Sequence, residues 1–155
     1  MKIYVLRHGH SPSAGDAGVK TDSERPLSPK GREDVRRIAE ALAGRGAAPA
    51  VILTSPLLRA MQTAEEAASV LRPKLGVRAF EPLANELPGE ALGEVLLTLV
   101  RGEKLAEVLA VGHQPQVGEL VASLTGSLID FRPGGLAAVE AAEGGAISLL
   151  WTASP

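Results

Sequence analysis

The sequence contains no cysteine, and this absence removes several kinds of chemistry at once. Disulfide bonds, catalytic thiols and zinc–thiolate sites are all excluded. The chain also lacks any apolar run of about 18 residues, which is the length that a membrane-spanning helix needs. The apolar stretch that precedes Arg7 is too short to form the core of a signal peptide. We therefore expect a cytoplasmic protein without a membrane partner.

An excess of charge of either sign is missing as well. The 16 Lys and Arg residues nearly balance the 18 Asp and Glu residues, which gives a formal net charge of -2. This balance gives no reason to expect a nucleic-acid partner, because a nucleic-acid-binding surface is usually strongly basic. A length of 155 residues, of which 45% are hydrophobic, is typical of one soluble domain with a full core. Since no linker or internal repeat interrupts the chain, we predict a single domain over residues 1–155.

Strand-like and helix-like segments alternate along most of the chain. Apolar and β-branched runs predict strands at residues 3–6, 51–54, 77–80, 108–112, 136–141 and 146–152. Apolar residues at helical spacing predict helices at residues 28–44, 55–71, 90–101 and 115–125. The last two strands are expected to form a hairpin. This order predicts an α/β fold, a three-layer sandwich with a mostly parallel central sheet and helices on both faces.

Two of the predicted helices carry basic residues in different settings. In the first helix, the charged residues are predicted to form a solvated face that consists of Arg32, Glu33, Arg36 and Arg37. In the second helix, the buried stripe is predicted to consist of Leu57, Met61, Ala64, Ala68 and Leu71. Arg59 lies in the first or second turn of that helix, where a positive charge meets the positive end of the helix dipole. A bound anion would interact favourably with both charges, although an ordinary surface arginine is the alternative.

Side chains that suit an oxyanion follow three of the predicted strands. Arg7 and His8 end the first strand, Arg59 follows the second, and His113 follows the strand at 108–112. Ligands of parallel sheets bind just beyond the carboxyl ends of the strands, so we expect these four side chains to share one cavity. Helix N-termini and the planar fork of arginine both bind phosphate well. The sequence therefore predicts a phosphoryl site; the alternative is a surface Arg-His pair and a structural His113.

Three segments, in this order, carry a family resemblance. They are Leu6-Arg7-His8-Gly9, residues 54–65 (Thr-Ser-Pro-Leu-Leu-Arg-Ala-Met-Gln-Thr-Ala-Glu), and Val111-Gly112-His113. Together they resemble the histidine phosphatase superfamily, in its phosphoglycerate-mutase-like branch. The small size of the chain and the segments 25–32 and 112–115 are most similar to the SixA-type subgroup of compact phosphohistidine phosphatases.

The resemblance implies a phosphatase that forms a phosphohistidine intermediate and uses no metal or other cofactor. His8 would be the nucleophile, while Arg7, Arg59 and His113 would bind the phosphoryl oxygens. Water would then release phosphate from His8. The nucleophile must be a neutral imidazole, so we expect the two arginines to lower the pKa of His8. The subgroup implies phosphohistidine in a protein as the substrate.

The loop at residues 81–89 contains the candidate for a general acid. In larger relatives, a carboxylate from a comparable loop protonates the leaving oxygen, and Glu86 occupies that place here. A solvated loop carboxylate is the alternative. A phosphohistidine substrate weakens the need for an acid, because imidazole, with a reference pKa of about 6.5, leaves far more readily than an alkoxide.

A second long loop leaves directly from the proposed site. Residues 10–27 are rich in Gly, Ser, Asp and Pro and show no strand or helix period. Loops of this length are usually functional or disordered, so we predict a mobile flap over a pocket. His10 stands where many relatives carry an acidic residue. It could contact substrate or carry a proton, but we expect it to face water.

Four functions compete at the sequence level. The first is dephosphorylation of phosphohistidine in a protein, and the second is hydrolysis of a small phosphoester or a mutase reaction in the same superfamily. The third is a non-catalytic module that binds phosphate. The fourth is a metal site made of His8, His10 and His113, which is disfavoured because no pair of acidic residues is spaced to complete it.

Overall fold

The computed structural model describes residues 1–155 and contains one six-stranded sheet with helices on both faces. The strands are β1 (Lys2–Arg7), β2 (Val51–Thr54), β3 (Val77–Ala79), β4 (Glu107–Gly112), β5 (Leu136–Ala141) and β6 (Ile147–Ala153). The helices are α1 (Ala14–Ala17), α2 (Pro29–Gly44), α3 (Leu58–Leu71), α4 (Gly89–Gly102) and α5 (Gln116–Thr125). Short 3₁₀ turns cover Asp22–Glu24 and Glu81–Leu83. None of the helices combines the length and the apolar character needed to cross a bilayer.

The strands lie in the order β3-β2-β4-β1-β5-β6. The first four of these are parallel, and β5 and β6 add an antiparallel hairpin at one edge. The predicted α/β sandwich with a mostly parallel sheet is therefore confirmed, including the final hairpin. In the register of β1 and β4, Arg7 pairs with Gly112. His8 and His113 therefore leave neighbouring strands at the same level.

Two apolar clusters hold the three layers together. Ile3 and Val5 of β1 point to one face of the sheet and pack in a cluster with α4 and α5. Tyr4 and Leu6 point to the other face and pack in a cluster with α2 and α3. This alternation follows from the two-residue period of a strand. Both faces of β1 are buried, which explains why its sequence is an unbroken apolar run.

The predicted buried stripe of α3 is wrong in phase. The structure buries a face of smaller and more polar residues, namely Arg59, Ala60, Thr63, Ala64, Glu66 and Ala67. Of the predicted stripe only Ala64 is buried, and the other members are half-buried, namely Leu57, Met61, Ala68 and Leu71. Alanines are small enough to let a helix lie close to its neighbours, and the buried polar side chains on this face all have hydrogen-bond partners. Close packing and polar contacts thus override the preference for burying the largest apolar groups.

The charged residues of α2 do not form a simple solvated face. Glu66 of α3 accepts a hydrogen bond from Arg32 at 2.9 Å and another from Arg36 at 2.7 Å. These arginines hold the pKa of the Glu66 carboxyl below its usual value, against the opposing effect of its burial. The two helices are therefore joined by an ion-pair cluster that the helical period of α2 alone did not reveal.

The loop at residues 10–27, which is predicted to be a mobile flap, contains regular structure that its sequence does not indicate. Ser13 accepts a hydrogen bond from the backbone N–H of Asp16 and caps α1, and the 3₁₀ turn follows at Asp22–Glu24. The segment is also attached to its surroundings, because the Leu27 N–H donates to the side chain of Gln62 at 2.8 Å. Such short turns bury no apolar stripe, so they leave no periodic signal in the sequence.

Candidate active site

His8 lies just beyond β1 at the carboxyl edge of the parallel strands and is only 8% exposed. Its Nδ1 atom lies 2.7 Å from the carbonyl oxygen of Gly9. A carbonyl can only accept, so this contact assigns the ring proton to Nδ1 in the neutral imidazole. The lone pair is therefore at Nε2, the nitrogen that faces Arg59.

The backbone at Gly9 fixes the direction of the His8 ring. The Gly9 N–H donates to Thr63 Oγ1 at 3.0 Å, and that hydroxyl donates to the Arg59 carbonyl at 2.8 Å. A side chain at Gly9 would crowd α2, since a Cβ there would lie 2.9 Å from Val35 Cγ2. Gly31 of α2 is equally constrained, because its Cβ would collide with the backbone of His10. Neither Thr63 nor Gly31 was predicted to support this turn.

Arg59 lies in the first turn of α3 and is 8% exposed. Its Nε atom lies 3.4 Å from His8 Nε2. Its Nη1 and Nη2 atoms donate to the carbonyl and to the carboxylate of Asp22, both at 3.0 Å. The other carboxylate oxygen of Asp22 accepts from Arg25 Nη1 at 2.9 Å. Asp22 and Arg25 thus reach the site from the loop at residues 10–27, and no sequence signal had assigned either residue to it.

His113 lies next to His8, with a distance of 5.1 Å between the ring centroids. Its Nε2 atom is 2.7 Å from the hydroxyl oxygen of Ser55, which also accepts from the Leu57 N–H. The Ser55 hydroxyl is therefore free to donate its proton to Nε2. This pattern favours the tautomer with the ring proton on Nδ1, and Nδ1 is buried without a protein partner.

Arg7 is the fourth member of the cluster. Its Nη1 atom donates to the Phe131 carbonyl at 2.8 Å, and its Nε atom is buried without a partner. Arg7 Nε and His113 Nδ1 are the only two buried side-chain nitrogen or oxygen atoms in the chain that lack a hydrogen bond. Buried polar groups are nearly always satisfied, so two unpaired N–H groups beside one histidine mark a place where an acceptor can bind.

Both histidine rings are neutral at physiological pH. Burial is the largest cause that lowers the pKa of His8, to about 4, and the charges of Arg59, Arg7 and Arg25 lower it further. The hydrogen bond to Gly9 acts in the opposite direction. Burial also lowers the pKa of His113, to about 3. The expected effect of the arginines on His8 is therefore confirmed in direction, although desolvation is larger.

The structure brings four of the five predicted site residues together and leaves the fifth apart. Glu86 is exposed and forms no hydrogen bond or ion pair. Its loop is attached near His113, because the Asn85 side chain donates to the Gln114 carbonyl at 3.2 Å. His10 is exposed, as predicted, with its Nδ1 atom 2.7 Å from the Ser28 hydroxyl. No group of three or more His, Asp or Glu side chains is arranged to hold a metal ion.

Two clefts open on the surface, and neither is lined by His8, Arg59 or His113. The larger, of about 380 Å³, lies between α5 and residues 128–130. The smaller, of about 240 Å³, lies between the start of α2 and residues 132–133. With Asp22 in contact with Arg59, the histidine pair does not open into either cleft.

Comparison with known proteins gives consistent matches over the whole chain. Phosphohistidine phosphatase SixA of Escherichia coli is 32% identical over 157 aligned positions, which cover 100% of this chain and 94% of that protein. An uncharacterized Picosynechococcus protein is 42% identical over 122 residues, covering 77% of this chain and 70% of that protein. The solved structure of protein histidine phosphatase SixA complexed with tungstate matches with a TM-score of 0.89 at 30% identity, covering 100% and 97% of the two chains.

These matches establish the class of the protein, which is a phosphatase and therefore a hydrolase. Residues 3–85 match the family model of the histidine phosphatase superfamily, branch 1, and the chain belongs to that superfamily. The family resemblance drawn from the three sequence segments is confirmed.

Proposed function

We propose that the protein removes phosphoryl groups from phosphohistidine in a partner protein, without a metal, and that His8 carries the phosphoryl group between the two steps. The E. coli relative is named for phosphohistidine, and the solved relative binds tungstate, a tetrahedral oxyanion. The proposed partner is a phosphorylated protein of the cytoplasm, with no role for nucleic acid or membrane.

The observation that carries this proposal is the set of groups around His8 Nε2. This lone pair is near the Nε–H of Arg59, and the Nε–H of Arg7 and the Nδ1–H of His113 have no protein acceptor. Three phosphoryl oxygens could accept from the guanidinium groups of Arg59 and Arg7 and from His113 while phosphorus lies against Nε2. Phosphoryl transfer depends mainly on positioning and on stabilising charge, and cationic side chains can supply both.

In the first step, His8 Nε2 attacks phosphorus and the P–N bond of the substrate breaks. The other ring nitrogen of the substrate carries a proton, so the electron pair of that bond returns to a cationic ring, which leaves as a neutral imidazole. The proton on Nδ1 of His8 stays in place, so the phosphorylated ring is cationic and the Gly9 carbonyl stabilises it. A cationic ring is a good leaving group for the second step.

In the second step, water attacks phosphorus and the bond to His8 Nε2 breaks. The electron pair returns to the ring, which becomes the neutral tautomer again, and the water proton passes to solvent or to the released phosphate. A neutral ring is needed at both ends of this cycle. The low pKa of His8, about 4, keeps it neutral at pH 7.

The position of Glu86 favours phosphohistidine over an ordinary phosphoester. An alkoxide leaving group needs a proton, and an acid contributes roughly 10²- to 10⁴-fold to its departure. Glu86 is exposed and forms no hydrogen bond or ion pair with His8, Arg7, Arg59 or His113. An imidazole leaving group needs no such acid, since its reference pKa is about 6.5. A small phosphoester phosphatase or a mutase is therefore the second candidate.

The test compares turnover of a phosphohistidine protein, a sugar phosphate and an aryl phosphate, with water as the only acceptor. We expect the phosphohistidine protein to give the highest kcat/KM and the enzyme to acquire an acid-labile phosphoryl label. A higher kcat/KM for the sugar phosphate would instead favour a small phosphoester phosphatase. Transfer to a second substrate hydroxyl would select the mutase, and phosphate binding without any label would leave only a binding module.

A further inference from the structure

The most unusual contact at the site is between Arg59 and Asp22. A guanidinium group has five N–H donors, and Arg59 uses three of them on protein acceptors: one faces His8 Nε2, and two bind Asp22. The two nitrogens that form the outer fork of Arg59 are both bound to Asp22. That fork is the part of arginine that recognises a phosphoryl group with two hydrogen bonds.

We propose that Asp22 is an internal competitor of the phosphoryl group, which substrate must displace from Arg59 and which helps to expel inorganic phosphate when it returns. This inference rests on the proposed function of the same site. It makes Asp22 a residue that determines which anions can bind, although it takes no part in bond making or breaking.

Charge makes simultaneous binding unfavourable. The Asp22 carboxylate and a phosphoryl dianion carry the same sign and compete for Nη2 of Arg59, so each weakens the binding of the other. Asp22 is the only carboxylate that forms a hydrogen bond with a member of the cluster of Arg7, His8, Arg59 and His113. In its absence, the buried Arg59 guanidinium would have no anionic partner until phosphate binds.

The Asp22 side chain is suited to leave Arg59. The Asp22 side chain is 65% exposed, so moving it into water uncovers little buried surface. Arg25 binds its other carboxylate oxygen and also donates to the carbonyls of Ser11 and Pro12, at 3.2 and 2.8 Å. The hydrogen bonds from the Arg25 side chain to these two carbonyls can therefore hold the loop while the Asp22 side chain turns away from Arg59.

Competition of this kind acts most strongly against small anions. Inorganic phosphate has only the contacts of its own oxygens with which to displace Asp22. A phosphorylated protein also gains contacts outside the phosphoryl site, and those can offset the loss of the Asp22–Arg59 pair. After hydrolysis those extra contacts no longer belong to the phosphate, and Asp22 can return.

The test is direct binding of inorganic phosphate, measured by titration calorimetry on the full chain. In Asp22→Asn and Asp22→Ala, we expect the Kd for phosphate to fall by about tenfold, the size expected for losing a competing charge-assisted hydrogen bond. Inhibition of turnover by phosphate should become stronger by a similar factor. The matched control is Asp16→Asn, which removes the same charge from the same loop at a residue without an ion pair, and its Kd should equal that of the wild type.

An unchanged or higher Kd in both Asp22 variants would overturn the inference, because Asp22 would then only position Arg59. An equal fall of the Kd in Asp16→Asn would also overturn it, because the effect would then be a general one of loop charge. Thermal unfolding of each variant checks that the fold is intact. Since this assay needs no turnover, it gives its answer even if phosphohistidine proves not to be the substrate.

Discussion

The residues that directly follow β1 and β4 are held differently from those that lie on loops. His8 and His113 are adjacent because Arg7 pairs with Gly112 across two central strands, and both rings are almost fully buried. Asp22 and Glu86 belong to loops and are exposed. The histidines that are proposed to contact the phosphoryl group are thus held in fixed positions by strand register. The acidic residues Asp22 and Glu86 lie on loops, where their side chains can move into solvent.

This comparison predicts that substitutions have the largest effect on function at residues placed by strand register. The effect should be smaller at residues placed by a helix and smallest at loop residues. The largest effect is expected for His8→Ala, which removes the only lone pair available to attack phosphorus. Turnover should fall by roughly 10³-fold or more, as expected when a covalent nucleophile is lost. Turnover and acid-labile labelling are measured together with thermal unfolding.

The control for this variant is His10→Ala, two residues further along. His10 is exposed and bonds to Ser28, outside the histidine pair, so its removal should leave turnover close to that of the wild type. Full turnover in His8→Ala would refute the assignment of the nucleophile. An equal loss of turnover in both variants would show that the position of His8 at the end of β1 gives it no special role.

The second effect concerns Arg59, which a helix rather than a strand positions. In Arg59→Ala we expect the inhibition constant of inorganic phosphate to rise by roughly a hundredfold, because a bidentate charged donor is lost. Arg59→Lys keeps the charge and loses the fork, so its inhibition constant should lie between those of the wild type and Arg59→Ala. The matched control is Arg78→Ala, which breaks an exposed ion pair with Glu103 far from the site. An inhibition constant that stays the same in Arg59→Ala would contradict the role of Arg59 in binding phosphate.

Most of the fold and four of the candidate site residues could be predicted from the sequence, and the reason is the same for both. Buried parallel strands are unbroken apolar runs, and chemistry in such sheets lies at the strand ends, so Arg7, His8 and His113 could be located without coordinates. Arg59 was suggested by its unfavourable place at a helix start. Their roles as catalytic and phosphate-binding groups stay a prediction that the variants above test.

The supporting residues could not be predicted, because they depend on distances between elements. Thr63 supports Gly9 only because α3 buries a face rotated away from its apolar stripe. Ser55 was interpreted as the start of a helix, but the helix begins at Leu58 and Ser55 binds His113 instead. Asp22 reaches Arg59 through a loop whose path has no periodic signal in the sequence. A helical period in the sequence predicts that a helix has a buried face, but it does not determine which residues form that face.

The third prediction uses the buried histidine pair to relate stability to pH. The folded chain has a pKa of about 4 at His8 and about 3 at His113, and both are lowered from 6.5. Well above pH 6.5, neither the folded nor the unfolded state binds a proton at these rings, and the contribution of the pair is complete. As the pH falls below 6.5, the unfolded chain binds protons that the folded chain excludes, so the free energy of unfolding decreases. Each histidine contributes about 1.4 kcal/mol per pH unit in this window.

Urea unfolding at pH 7, 6 and 5 measures this slope. The pair should lower the free energy of unfolding by up to about 4 kcal/mol between pH 7 and pH 5, since both rings act in the same direction. His113→Asn should show close to half of the wild-type decrease, because one of the two titrating rings is absent. A wild-type stability that does not change over this range would show that the rings are not held in a buried, neutral state.

The smallest effect is expected at the loop carboxylate Glu86. Because Glu86 is exposed without a hydrogen bond to the site and imidazole leaves without help, Glu86→Gln should change kcat/KM for a phosphohistidine protein by no more than about twofold. If Glu86 is the general acid for phosphoesters, any hydrolysis of an aliphatic phosphoester should fall much more, since that leaving group needs a proton. Glu90→Gln, an exposed acid at the start of α4, is the control for loss of charge. Equal losses on both substrates would remove Glu86 as an acid. A large loss on phosphohistidine alone would mean that this loop closes on the site when substrate binds, and the division between register-held and loop-held residues would no longer hold.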